Sequence, residues 1–317
     1  VMEIAAYGPQ AEEAVSETES QIQELEKQLS RTLPDSDVSR INRNGTTPTT
    51  GIAAGTWALL EAALEYGDAT DGAFDITIAP VMDAWGFTGD SFRVPERSEL
   101  DERLKHANSD EIQIQEEPAH SVTLGEGQAI DLGGIAKGYT SDLVEQTFRA
   151  NGIESGKISL GGNVFVLGGK PDGSDWRVGI KDPRNESGLA AILSLRDAYA
   201  ITSGGYERYF EENGKTYHHI IDPATGYPAD SGLLSVTVVA ADNGPDWAGA
   251  GNGAMCDAFS TALFVMGEEQ ALDFWRNGGY DFDLVLVTED GRVVITAGLA
   301  DRLEEVKDSG YTYETVS

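Results

Sequence analysis

The sequence predicts an α+β fold of mixed helices and largely antiparallel sheets. Helical and strand periodicities follow one another without the strict rhythm of βαβ units. Between 283 and 296, Asp283 to Thr288 and Arg292 to Thr296 flank Glu289-Asp290-Gly291, and Asp-Gly between apolar runs is a hairpin signal. The 317 residues, 40% of them hydrophobic, suffice for a sizeable core, in one large domain or two interlocked ones. A single domain over residues 2–317 is the reading adopted.

Residues 2–7 read as a strand. From Gln10 to Leu33, Val15, Ile22, Leu25 and Leu29 recur at helical spacing, giving an amphipathic helix with an acidic outer face. Pro34-Asp35-Ser36-Asp37 is a turn in which Ser36 or Asp37 caps the next segment. Thr56 to Tyr66 is a second helix ended by Gly67, and Leu100 to Ala107 a third. Ala129 to Leu132 reads as a short strand, Gly133-Gly134 as a turn and Ile135 to Arg149 as a helix. Strand, glycine turn and helix N-terminus together present backbone N–H groups to phosphate. Ser155 to Leu167 is a strand interrupted at Gly161-Gly162-Asn163, followed by strands over Trp176 to Ile180, Ala190 to Leu195, Ala198 to Thr202 and Leu233 to Ala241. Asn243 to Ala254 reads as a surface-loop insertion, and Asp257 to Met266 as a buried helix ending at Gly267.

The formal charge is −32, from 22 basic and 54 acidic residues, which excludes nucleic-acid binding and opposes adhesion to anionic lipid. The acids are scattered and only 8 of the basic residues are Lys, so a solvated, halophilic surface is expected. No run of about 18 apolar residues exists to span a membrane. One cysteine, Cys256, rules out an internal disulfide and reads as a packing residue.

Four blocks carry the chemistry. They are Asp71-Gly72-Ala73-Phe74-Asp75; Asp131-Leu132-Gly133-Gly134-Ile135-Ala136-Lys137-Gly138-Tyr139; His218-His219-Ile220-Ile221-Asp222-Pro223 with Thr225-Gly226-Tyr227-Pro228; and Cys256-Asp257-Ala258-Phe259-Ser260-Thr261-Ala262. Asp257 and Thr261, four apart on a helix, share one face. They are hard oxygen ligands suited to Mg²⁺, or equally a capping Asp and a Thr bonded to its own helix. Adjacent histidines at a strand end place their rings on opposite faces, so one can face a pocket while the other packs. A neutral imidazole serves as a general base. Taken alone, Asp131 and Lys137 read as a turn carboxylate and a solvated helix lysine. Tyr206, in Ser203-Gly204-Gly205-Tyr206-Glu207-Arg208, reads as packing or as an aromatic pocket wall.

In this order the four blocks resemble the ApbE family of FAD:protein FMN transferases, over nearly the whole chain from about Ala6 to a C-terminal helix. The resemblance implies an ApbE-like fold with two interlocked lobes. It implies metal ligation of Mg²⁺ by Asp257, Thr261 and the backbone carbonyl of Gly134, a position often Ala or Ser in the family. It implies FAD contacts at Ala73, Phe74, Asp75, Asp131, Lys137, Ile221 and Ser260, and a catalytic base at His219. The implied reaction moves FMN from FAD to a threonine hydroxyl of an acceptor protein with release of AMP; the acceptor is expected to be a membrane redox subunit. The same site with water as acceptor would be an FAD pyrophosphatase, and one without chemistry a flavin-binding protein; no residue separates the first two.

Two points of the family pattern stand out. Many members carry Met-Gly-Thr just ahead of the first strand, and residue 1 is expected to fall just after it; Ser30-Arg31-Thr32-Leu33-Pro34-Asp35-Ser36 lacks an aromatic. The acceptor motif Asp/Ser-Gly-Ala-Ser/Thr-x-Ser/Thr is not met by Asp71-Gly72-Ala73-Phe74-Asp75-Ile76, so self-flavinylation there is not expected. The family's habit of working outside the cytoplasm on a lipid anchor suggests the same here, with the anchor in a segment ahead of residue 1.

Overall fold

The computed structural model describes residues 2–48, 51–89, 91–115, 121–242 and 250–317. The helices are α1 (Ala11–Leu29), α2 (Asp37–Asn44), α3 (Ala54–Ala69), α4 (Ala79–Trp85), α5 (Arg97–Leu104), α6 (Ala136–Ala150), α7 (Asn252–Met266) and α8 (Glu268–Asn277). The strands are β1 (Met2–Tyr7), β2 (Thr46–Pro48), β3 (Gln113–Gln115), β4 (Ser121–Thr123), β5 (Ser155–Leu160), β6 (Asn163–Leu167), β7 (Trp176–Lys181), β8 (Leu189–Leu195), β9 (Ala198–Gly204), β10 (Tyr209–Glu212), β11 (Lys215–His218), β12 (Leu233–Ala241), β13 (Asp283–Thr288), β14 (Arg292–Thr296), β15 (Leu303–Glu305) and β16 (Thr312–Val316).

Eight strands form one sheet in the order β1-β5-β6-β9-β12-β13-β14-β16, antiparallel throughout except for the parallel β14–β16 pair. Its strands are apolar on both faces because both are covered. Val236, Val238, Leu284 and Leu286 pack with α1, α3, α6 and α7, while Val239, Val285 and Val287 meet the sheet β15-β8-β7 through Val178, Ile180, Leu193 and Leu195. Each such fully buried side chain contributes about 1.5–3 kcal/mol. A third, aromatic core joins α4 and α5 to the β10–β11 hairpin: Trp85 packs on Phe87, Phe210, Tyr217 and Tyr227, and its indole N–H donates to the Gly226 carbonyl at 2.7 Å. The α+β, largely antiparallel expectation therefore holds.

Several expected boundaries move, each for a local reason. The first helix stops at Leu29, because the Ser30 hydroxyl accepts the N–H groups of Thr32 and Leu33 and Pro34 disfavours helix before it. The second helix runs through Gly67 to Ala69. A side chain at 67 would sit 3.0 Å from the Phe74 carbonyl, so this glycine admits a neighbour and does not end a helix. The third starts at Arg97 and ends at Leu104, one turn earlier than expected. Ala129–Leu132 forms no strand: the Asn42 amide accepts the Ile130 N–H at 2.7 Å and donates to its carbonyl at 3.0 Å, taking the place of a ladder. The chain ends in β16, not a helix. Of the expected insertion, 243–249 lie outside the described residues, and Asn252 to Ala254 already belong to α7. Ser36 caps α2 as expected, accepting the Ser39 N–H at 3.0 Å.

Candidate active site

A cleft of about 600 Å³ opens where the N-terminus of α6, the end of β9 and the aromatic core meet. Its walls include Ala73, Phe74, Asp75, Asp131, Gly134, Lys137, His219, Ile221 and Thr261. The structure thus brings together nine residues that the sequence singled out from blocks nearly two hundred positions apart. Asp257 and Ser260 lie just behind the wall, 1% and 0% exposed.

Helices α6 and α7 build one side. They cross with backbone against backbone: a Cβ on Gly138 would lie 2.0 Å from the Gly253 carbonyl oxygen, and one on Gly253 2.4 Å from that of Gly138. Asp142, fully buried, locks the crossing. Its carboxylate accepts the N–H groups of Gly251, Gly253 and Ala254 at 3.0, 2.7 and 3.0 Å, the free donors of the α7 N-terminus. Burial pushes its pKa up to about 7 against the pull of those donors. One turn into α7, Asp257 Oδ2 accepts the Gly138 N–H at 2.8 Å and Oδ1 lies 3.5 Å from Lys137 Nζ. Thr261, a further turn on, lies 3.2 Å from Ser203 Oγ, which also meets Ser260 Oγ at 2.8 Å. Ser260 is therefore an internal brace, its hydroxyl donating to the Asp257 carbonyl. A side chain at Gly134 would stand 3.1 Å from the Phe74 ring, so Phe74 leaves little room for one there.

The donor set around Asp257 is all oxygen and holds one carboxylate; among the described residues no cluster of three His, Cys, Asp or Glu forms. That chemistry fits Mg²⁺, which takes few protein ligands and fills its shell with water and phosphate oxygens. It does not suit a soft, nitrogen- or sulfur-seeking metal. Cys256 is fully buried and its thiol pKa is pushed well up by burial, so it packs.

The opposite side carries His219. The His219 backbone N–H donates to the Arg208 carbonyl at 3.0 Å, and ring Nδ1 lies 3.1 Å from the same oxygen. A carbonyl only accepts, so Nδ1 bears the proton and Nε2 keeps the lone pair. Burial, with Lys137, His218 and Arg208 nearby, lowers the His219 pKa to about 4, so the ring is neutral at physiological pH. His218 turns to a second cavity of about 540 Å³, with Nε2 3.1 Å from the Ala229 carbonyl and its ring edge-on to Phe264. Opposite faces for the two rings were expected, and this is the arrangement found.

Other acids also hold their own local turns. Asp222 builds its own turn, accepting the Ala224 N–H and the Thr225 hydroxyl, both at 2.9 Å. Asp75 Oδ1 accepts from both Thr77 N and Oγ1. Asp131 holds the Gly133 N–H at 2.8 Å and meets Arg31 at 3.5 Å. Tyr206, beneath Lys181, lines the second cavity and the groove along β7 and is not among the cleft walls.

Sequence reasoning passed over Arg31, Glu207 and Arg208, all on the cleft wall. Arg31 is pinned by Asp83 at 2.7 Å and Thr88 at 2.8 Å, partners more than fifty residues away that no local pattern announces. The signal available was a lone Arg inside the Ser30 to Ser36 block, and the charged pair beside Tyr206.

The sequence model of the ApbE family matches residues 1–284. The FAD:protein FMN transferase of Treponema pallidum is 32% identical over 315 residues, spanning 95% of this chain and 84% of that protein. The enzyme of the same name from Klebsiella pneumoniae is 33% identical, spanning 92% and 86%. Among solved structures, the ApbE protein of Thermotoga maritima superposes with a TM-score of 0.80 at 32% identity, covering 96% of this chain and 92% of that one.

Proposed function

This chain belongs to the ApbE family, and we propose that it is a Mg²⁺-dependent FAD:protein FMN transferase acting on a threonine hydroxyl of another protein. The observation that carries the reading is the pairing, across one cleft, of a phosphate-facing wall (the α6 N-terminus, Lys137 and Thr261, with Asp257 just behind) with an imidazole whose free Nε2 serves as base.

Lys137 and the α6 N-terminus attract the FAD pyrophosphate. Asp257, Thr261 and the Gly134 carbonyl would hold Mg²⁺, which when bound neutralises charge on the pyrophosphate oxygens. Phe74, Ile221 and the Ala73 backbone offer the flavin an apolar wall. His219 Nε2 takes the proton of the acceptor hydroxyl as its oxygen bonds the FMN phosphorus. The bond from that phosphorus to the bridging oxygen breaks, and AMP leaves with the electron pair. The Arg208 carbonyl holds the imidazole in the required tautomer and stabilises the imidazolium that forms. The negative pyrophosphate beside Lys137 offsets the cations that weaken this base.

The acceptor we place in a membrane redox complex, with the enzyme beside it outside the cytoplasm; family resemblance supports this. The acidic surface supports a salt-adapted enzyme. No described helix is long and apolar enough to cross a membrane. The test mixes protein, FAD, Mg²⁺ and a threonine-bearing acceptor domain in high salt. Mg²⁺-dependent flavin fluorescence on the denatured acceptor, with AMP, is the expected result. AMP without labelling indicates a pyrophosphatase, and bound FAD without either product a flavin-binding protein.

A further inference from the structure

A second groove, of about 540 Å³, runs from the catalytic cleft along β7. It shares Thr202 and Glu207 with the cleft, so the two spaces meet at Glu207. Between Lys137 on the cleft side and Lys181 on the groove side, the Glu207 carboxyl marks the junction; burial raises its pKa against the pull of both cations. One wall of the groove is β7 itself. Among the described residues this strand pairs only with β8, leaving its other edge without a strand neighbour. Trp176, Val178 and Ile180 are anchored in the second core, while Arg177, Gly179 and Lys181 are exposed, so the edge is rigid yet open. The facing wall is small: Ser159, Gly162 and Val164 leave room for a main chain.

A folded acceptor cannot enter a cleft of about 600 Å³; only an extended segment can bring its hydroxyl to His219. An open strand edge recognises such a segment by main-chain hydrogen bonds, and it adds specificity through the space left for alternate side chains. We infer that the β7 groove binds the extended, hydroxyl-bearing segment of the acceptor protein and leads it past Glu207 into the cleft. This rests on the transferase reading, whose chemistry is unchanged by it.

Ser159→Trp fills the groove without touching the FAD wall. The acceptor KM for covalent labelling is expected to rise about tenfold or more, a loss typical of a blocked contact, while FAD affinity, read from flavin fluorescence, stays within about twofold. Val164→Trp fills the same space from the neighbouring strand and should reproduce the effect if Ser159→Trp folds poorly; Ser159→Ala should behave as wild type. An unchanged acceptor KM in both Trp variants overturns the groove assignment. Concentration-dependent dimerisation of the wild type that Ser159→Trp abolishes would give the edge to a second copy of this chain and also overturn it. A wild type that binds FAD yet labels no acceptor overturns the transferase reading instead, a result separable from either.

Discussion

His218 and His219 are neighbours in the chain and occupants of different worlds. Each ring is largely shielded and each has its pKa lowered, mainly by burial. What separates them is which nitrogen is left over. His219 spends Nδ1–H on the Arg208 carbonyl and keeps Nε2 for the cleft. His218 spends Nε2–H on the Ala229 carbonyl, and its Nδ1 is buried without a partner among the described residues. Burial alone does not make a base; the hydrogen bond that fixes the tautomer decides which ring can take a proton, and from where.

The largest expected effect lies on the wall that faces His219. Asp257→Ala removes the single carboxylate of the proposed Mg²⁺ donor set, and labelling should fall by roughly a thousandfold or more. Mn²⁺ binding, followed by electron paramagnetic resonance as a probe of the same site, should vanish with it. Retained metal binding would move the site elsewhere. Next, His219→Ala should cut labelling by about 10²–10⁴-fold with FAD still bound, whereas His218→Ala should leave the rate within a few-fold and act on stability. If His218→Ala is the crippling change, the tautomer argument has picked the wrong ring. The pH profile sharpens the same contrast. The base must be neutral, so kcat/KM, which reports the free enzyme, should fall only as pH approaches about 4.

The smallest effect concerns Asp142, behind the metal wall. Its folded pKa of about 7 stands above the ordinary 3.8, so its protonated form is favoured by folding. Stability from this group is full below the lower value and is lost as pH rises through the higher one. Asp142→Asn removes that titration. Thermal melts of wild type and variant at pH 5 and pH 8 should therefore show the wild-type advantage shrinking at the higher pH. The variant should also melt lower at pH 5, because an amide NH₂ would face N–H donors. An advantage independent of pH would mean the carboxylate is already ionised at pH 5.

What could be read from the chain follows from range. The β13–β14 hairpin and β12 match their expected bounds, since alternating Val and Leu with Asp290-Gly291 specify them locally. Ala129–Leu132 was misread because its apolar run is stabilised by Asn42, a partner 88 positions away. The α4 helix and the β10–β11 hairpin escaped notice because their aromatic faces make sense only against each other. The cleft shows the same division. Asp257 and Thr261 stand out in the sequence because their four-residue spacing puts them on one helix face. Arg31 and Glu207 enter through tertiary placement alone.

The backbone contact between Gly138 and Gly253 has a mechanical meaning. With no side chains to slide past each other and Asp142 tying three amides across the seam, α6 and α7 move as one body. Any opening of the cleft then falls to the other wall, the aromatic module of α4, α5 and β10–β11, which His219 directly follows. Under the proposed function the metal donors stand on this rigid seam and the His219 base on the opposite wall. Amide hydrogen exchange should find Gly138 and Ala254 among the slowest sites and 209–218 faster; equal protection across both walls would rule that hinge out.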